Sequence, residues 1–362
     1  MRGVVTAAKA VLLGVAFSLG TALHQAQAQP TEPLKVVATF SILADMVQNV
    51  GGPLVQVSSL VGPQADAHGF EPRPRDVKAV AQAQVIVANG LGFETWLPGL
   101  QQAAGFKGRT VLASDGSLLI QADASTQQGA GHAHHDDHAD DHKHDDHKHD
   151  DHKGEGHQDD GHKHDEHGHD DRDDHAHDAG HEGHDHGPID PHAWQDIRNG
   201  IHYVHTIAKG LGQADPANAQ QYLRRANEYV QQLQTLDADL RAQLAKVPVQ
   251  NRKVISSHDA FAYFSKAYGV QFIPVAGLSG RSEASAKAVA ELVDRVRSEK
   301  IAGIFVESGA SSRMVEQLAR ETGAKVGGEL YSDALAAPGK PADTYLGMMR
   351  WNAEQLLGVL QP

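Results

Sequence analysis

Histidine is the residue whose number and placement could do chemistry. The 362-residue chain carries 25 of them, in two unlike populations. Nineteen lie between residues 131 and 187; the other six are His24, His68, His192, His202, His205 and His258. Three of the six sit in contexts that suit metal ligation: Ala67-His68-Gly69-Phe70-Glu71-Pro72, Asp190-Pro191-His192-Ala193-Trp194 and Ser256-Ser257-His258-Asp259-Ala260-Phe261. Asp333, in Tyr331-Ser332-Asp333-Ala334-Leu335, adds a carboxylate. Three neutral imidazoles and one carboxylate make a four-coordinate Zn²⁺ site with no open position, whereas harder cations prefer more oxygens. A lone histidine at a strand end is as often a helix cap or a hydrogen-bonded core residue. These four are also too far apart to form a local zinc signature, so only the fold can bring them together. His202 and His205, three apart, could chelate a metal; we read them as surface or half-buried residues of a helix.

Composition narrows the chemistry. Cysteine is absent, which excludes disulfides, thiolate sites, iron–sulfur clusters and cysteine nucleophiles. Any metal must be held by nitrogen and oxygen. The formal charge of −14 is not spread evenly: 131–187 carries −15, and the rest of the chain is close to neutral at +1. No basic face is evident, which argues against nucleic-acid binding. No His-Glu-x-x-His run supports the rival reading of a zinc hydrolase, which would need three ligands, a water and a base such as Glu307 or Asp259.

The elements that must position these residues alternate β and α. Apolar runs predict strands at 34–39, 55–61 and 85–88, with helices at 42–50 and 75–83 between them. After the histidine-rich stretch, a helix over 196–211 has Asp196 as N-cap. Apolar residues at Tyr222, Ala226, Val230, Leu233, Leu236, Leu240 and Leu244 predict a helix over 216–246, roughly 45 Å long. The pattern then resumes: strands at 253–256, 270–275, 304–306 and 324–326, and helices at 261–268, 285–300, 312–322 (capped by Gly323) and 344–360. Strands apolar on every residue suit parallel sheets covered on both faces. We therefore expect an N-terminal α/β lobe over 29–214, a rigid linker helix over 215–247 and a C-terminal α/β lobe over 248–362, with a metal cleft between the lobes. Ligands in such sheets gather outside the carboxyl ends of the strands, where His68, His258 and Asp333 fall.

Two segments stand outside this plan. Arg2 and Lys9, an apolar run from Val11 to Ala22 and Ala26-Gln27-Ala28 have the order of a secretory signal, read as cleaved after Ala28. The run is too short to span a bilayer, and no cysteine stands at the boundary to take a lipid. The mature protein is expected in the periplasm. Residues 131–187 lack apolar periodicity and are expected to be a disordered His/Asp-rich loop, with low-affinity zinc sites at histidines such as His132, His134, His135 and His138.

The chain resembles the zinc-binding members of the metal-specific solute-binding proteins of ABC transporters, of the high-affinity zinc uptake type, over 34–120 and 187–356. The matching stretches are His68-Gly69-Phe70-Glu71-Pro72, Asn89-Gly90-Leu91-Gly92-Phe93-Glu94-Thr95-Trp96-Leu97, Asp190-Pro191-His192-Ala193-Trp194, Ser257-His258-Asp259-Ala260-Phe261-Ala262-Tyr263-Phe264 and Tyr331-Ser332-Asp333-Ala334-Leu335. The resemblance implies that His68, His192, His258 and Asp333 are the metal ligands and Zn²⁺ the cargo. It implies that the partner is the ABC permease of a zinc importer, with a zinc metallochaperone as a second candidate, and that the protein is a monomer and no enzyme. The family's manganese binders carry a carboxylate at the His258 position, so the histidine points to zinc; manganese or iron delivery is the alternative. Two departures matter. Ala67 replaces an acidic residue found in some zinc members, and Ser308-Gly309 follows Glu307 where proline is common. We read Glu307 as a supporting residue.

Overall fold

The computed structural model describes residues 32–121, 189–275, 286–307 and 312–361. The signal segment, the cleavage point after Ala28 and the histidine-rich stretch, including His132, His134, His135 and His138, lie outside the described residues. No helix among the described residues is long and apolar enough to cross a membrane.

Two four-stranded parallel sheets form the frame. The first runs β1 (Leu34–Phe40), α1 (Ser41–Gly51), β2 (Val55–Val61), α2 (Pro74–Gln82), β3 (Val85–Ala88), α3 (Leu97–Ala104) and β4 (Arg109–Leu112). Its spatial order is β2-β1-β3-β4. Every residue of β3 is buried and β1 is buried at six of seven positions, as expected of strands covered on both faces. The second sheet is built from β5 (Lys253–Ser256), α6 (Ala262–Tyr268), β6 (Gln271–Pro274), α7 (Ala286–Ser298), β7 (Gly303–Ile304), α8 (Ser312–Thr322) and β8 (Lys325–Val326). Its order, β6-β5-β7-β8, repeats the first. Gly323, in the left-handed region at φ 73°, stops α8 as the sequence leads one to expect.

Between the sheets lie α4 (Ile197–Ala214) and α5 (Ala219–Leu244), and α9 (Tyr345–Leu360) closes the chain. The Asp196 carboxylate accepts the Arg198 N–H at 2.9 Å, the expected N-cap of α4. The connector is shorter than the sequence suggests. A single 3₁₀ turn, Pro216–Asn218, precedes 26 residues of α-helix, about 39 Å. All seven of its expected apolar positions are buried, and Tyr229 with them. They do not bridge open space: α5 packs on α4, α1, α9 and α6. One continuous core joins β1, α1, Trp194, α4, α5, α6, Phe305, Leu330 and α9, with a smaller cluster at the outer side of each sheet. Elements α3 and β4 escape the sequence reading because Pro98 and Gly99 break the apolar pattern and β4 has only four residues.

Candidate metal centre

Each of the four residues arrives from a different loop. His68 lies between β2 and α2, where its N–H donates to the Asp66 carboxylate at 2.9 Å. His192 opens the single 3₁₀ turn before α4. His258 follows β5 and precedes α6, and Asp333 lies in the loop between β8 and α9. The sequence places His68 and His192 with the first sheet, and His258 and Asp333 with the second; one atom from each of the four lies within 4.8 Å of the others. His202 and His205 are exposed on α4 and do not join them.

The spacing has a metal's dimensions. Ligand atoms about 2.0–2.1 Å from a tetrahedral Zn²⁺ stand about 3.3–3.4 Å from one another. Here His68 Nε2 is 3.3 Å from Asp333 Oδ2 and 3.4 Å from His192 Nε2. His192 Nε2 is 3.4 Å from Asp333 Oδ1, and His258 Nδ1 is 3.5 Å from Asp333 Oδ2. Asp333 Oδ1 is buried without a hydrogen-bond partner, a state that a bound cation would relieve. Burial is graded across the group. The His192 side chain is fully buried, that of His68 nearly so, and that of His258 is 26% exposed.

The scaffold behind the ligands was not legible as such in the sequence. Asp190, two residues before His192, accepts from the His192 N–H at 2.9 Å and lies 2.8 Å from His192 Nδ1. That carboxylate fixes the proton on Nδ1 and leaves Nε2 as the donor atom, the carboxylate–histidine pairing common at metal sites. The loop after β3 supplies a wall. Gly90, Leu91 and Gly92 all have positive φ, and Leu91 holds this left-handed backbone at a cost of roughly 1–2 kcal/mol. Buried Glu94 secures the turn by accepting from Thr39 Oγ1 (2.7 Å), Asn89 N–H (2.7 Å) and Gly90 N–H (3.1 Å). The turn delivers Phe93 edge-on to His68, with centroids 4.6 Å apart, and Trp194 closes on His192 at 5.4 Å. The Asn89 side chain ties this wall to the His192 segment by donating to the Pro191 carbonyl at 3.0 Å.

The Asp333 loop is gripped by the first sheet's side of the molecule. Trp194 Nε1 and Gln195 Nε2 donate to the Ser332 carbonyl at 2.9 and 2.8 Å. Ser41 Oγ accepts the Leu335 N–H at 2.9 Å, and Gln64 N–H donates to the Leu335 carbonyl at 3.0 Å. Asp333 is thus bracketed on both sides. Beside His258, Glu307 Oε2 lies 3.3 Å from Nδ1, while Ser257 Oγ donates to Oε1 at 3.3 Å. Glu307 is in reach of the ligand set without belonging to it.

Electrostatics fit cation capture. Burial pulls the His68 imidazole below its ordinary value, against Asp333. Burial also opposes charge on His258, but Asp333 and Glu307 outweigh it and push that imidazole up to about 9. Burial works against the Asp333 carboxylate, yet the three surrounding imidazoles hold it well below the usual carboxylate range. The carboxylate is ionised for a cation, and a cation ligated by His258 would have to displace its proton.

Two parallel-sheet lobes that pool nitrogen and oxygen donors between them define a binding protein for a small cationic solute. Residues 36–358 match the family described as zinc-uptake complex component A, periplasmic, and the chain belongs to that family. It is therefore a periplasmic metal-binding component of an ABC transporter, a solute-binding protein and not an enzyme. It is 28% identical over 356 residues to the metal ABC transporter substrate-binding lipoprotein ScbA of Streptococcus cristatus, spanning 96% of each chain. It is 27% identical over 352 residues to the manganese ABC transporter substrate-binding lipoprotein PsaA of Streptococcus mitis, covering 96% of this chain and 95% of that one. The solved periplasmic zinc-binding protein TroA of Treponema pallidum superposes with a TM-score of 0.67 at 26% identity, covering 92% of this chain and all of that one.

Proposed function

We propose that this protein captures Zn²⁺ through His68, His192, His258 and Asp333 and releases it to the permease of a zinc importer. The observation that carries the reading is the pooling of three imidazoles and one carboxylate within 4.8 Å. Three nitrogen donors at tetrahedral separations favour zinc over cations that prefer six or more oxygens. Release proceeds by local rearrangement, because the bonds to Ser332 and Leu335 from Trp194, Gln195, Ser41 and Gln64 oppose a wide hinge opening. The histidine-rich stretch 131–187 acts as a tethered collector of weakly held zinc, through histidines such as His132, His134, His135 and His138. The protein works as an exported monomer cleaved after Ala28.

Manganese or iron delivery is the second reading. Relatives carry manganese in their names, and Glu307 Oε2 offers a further oxygen 3.3 Å from His258 Nδ1. Zn²⁺ outbinds Mn²⁺ at most nitrogen–oxygen sites, so competition titration can overturn the zinc reading, while uptake of each metal through the permease decides between the two. Wild type is expected to bind one tight Zn²⁺ that excess Mn²⁺ does not displace; displacement by Mn²⁺ at comparable concentration overturns the zinc reading. In a variant lacking 131–187, the tight ion is expected to stay while weakly bound equivalents disappear. Loss of the tight ion in that variant would move the function to the stretch.

A further inference from the structure

His192 and His258 reach the centre from opposite lobes, and one side chain outside the ligand set connects the peptide behind the first to the helix behind the second. Tyr263 lies in the first turn of α6, five residues past His258, and is 1% exposed. Its hydroxyl donates to the Asp190 carbonyl at 2.9 Å and accepts the Ile120 N–H at 3.0 Å. Ile120 and Asp190 are themselves paired, the Asp190 N–H donating to the Ile120 carbonyl at 3.2 Å, beside the antiparallel bridge of Gln121 with Ile189. Asp190 is also the residue whose carboxylate orients His192. A single phenol therefore fastens α6 to both chain ends that flank 122–188, and to the peptide that carries the buried ligand.

We propose that Tyr263 is a positioning residue of the metal centre, whose hydroxyl sets the separation of His192 from His258 by bolting α6 to the Ile120–Asp190 pair. Moving α6, and His258 with it, away from His192 must break both hydrogen bonds of the Tyr263 hydroxyl. That would leave a partly buried N–H and a buried carbonyl unsatisfied, which is what makes the bolt resist separation. Burial pushes the phenol up to about 12, so the O–H that donates to Asp190 is kept at every working pH. Because the same hydroxyl holds the flanks of 122–188, metal occupancy and the pairing of those flanks rise and fall together. This inference rests on the zinc reading above.

The test uses the full-length protein, with Zn²⁺ as the probe and a chelator in excess to follow release. Tyr263→Phe keeps the ring and removes the hydroxyl; zinc release is expected to quicken about 5- to 10-fold, the effect of one net hydrogen bond. Tyr222→Phe is the control. It removes another buried phenol hydroxyl, bonded to Asp215 at 2.8 Å on α5, and should leave the release rate unchanged. A measurement on wild type needs no variant: hydrogen exchange at the Ile120 amide should slow when zinc is added. Equal release rates for Tyr263→Phe and wild type, equal acceleration by Tyr222→Phe, or an Ile120 amide indifferent to zinc would each overturn the role of Tyr263. Failure of wild type to hold one tight Zn²⁺ would instead overturn the zinc reading itself.

Discussion

The two sheets share a strand order and put the same position to opposite uses. In each, a hydroxyl at the end of the central first strand donates to a carboxylate that follows the third. Thr39 donates to Glu94 in the first sheet, and Ser257 to Glu307 in the second. These pairs sit where the strand order switches direction, the usual ligand position of open α/β sheets. Glu94 is spent on backbone amides and shapes the Phe93 turn, so the first sheet's switch point has become scaffold and its ligands come from flanking loops. Glu307 keeps an oxygen 3.3 Å from His258 Nδ1, so the second sheet's switch point still faces the candidate site. Equal topology thus says where a site can be, and the partners of one carboxylate decide whether it is wall or neighbour to the metal.

The comparison breaks most visibly at the ligand with no access to water. His192→Ala should weaken zinc binding by more than the roughly 10–100-fold typical of changes behind the ligands, as read by competition with a calibrated chelator. Glu307→Gln and Glu94→Gln form the matched pair. Glu307→Gln should lower zinc affinity by about tenfold or more, with the smaller loss of metal-free melting temperature, that of its contact with His258. Glu94→Gln should lower that melting temperature, at a cost of about 1–3 kcal/mol from mispaired buried amides, with the smaller loss of affinity. Reversal of that order would refute the division of labour between the sheets.

Proton competition gives a finer test. With its folded value at about 9 against an ordinary 6.5, His258 binds more protons folded than unfolded between those limits. Its contribution to the metal-free fold is complete below pH 6.5 and is lost as pH rises to about 9. Zinc must expel that proton, so affinity should climb across the same window, by up to about tenfold per pH unit. Calorimetry in buffers of different ionisation enthalpy should show close to one proton released per zinc at pH 7. No proton release at pH 7 would mean that Asp333 and Glu307 do not hold a proton on His258 there.

Much of this was legible in the sequence, and the limits have physical causes. Long apolar runs such as 34–40 and the buried stripe of α5 declare themselves locally, as does the Asp196 cap. The four candidate ligands could be named from their contexts, yet nothing local reveals that they converge. The brackets on Asp333 pair residues 137 to 294 positions apart, and the bond from Tyr263 to Asp190 spans 73. Such partners leave no periodic trace. Asp190 stood in plain view within the His192 motif, but its role shows only when the ring orientation is known.

The gradient of burial from His192 to His258 gives the pocket a direction. On the zinc reading proposed above, an ion entering from water would meet the part-exposed His258 before the enclosed His192 and would shed its hydration shell in that order. Discrimination would then be cumulative, with three exchanges replacing a water oxygen by an imidazole nitrogen and the fourth by an Asp333 oxygen. Departure would retrace that route, so on the same reading a permease that unseats His258 would start the ion moving.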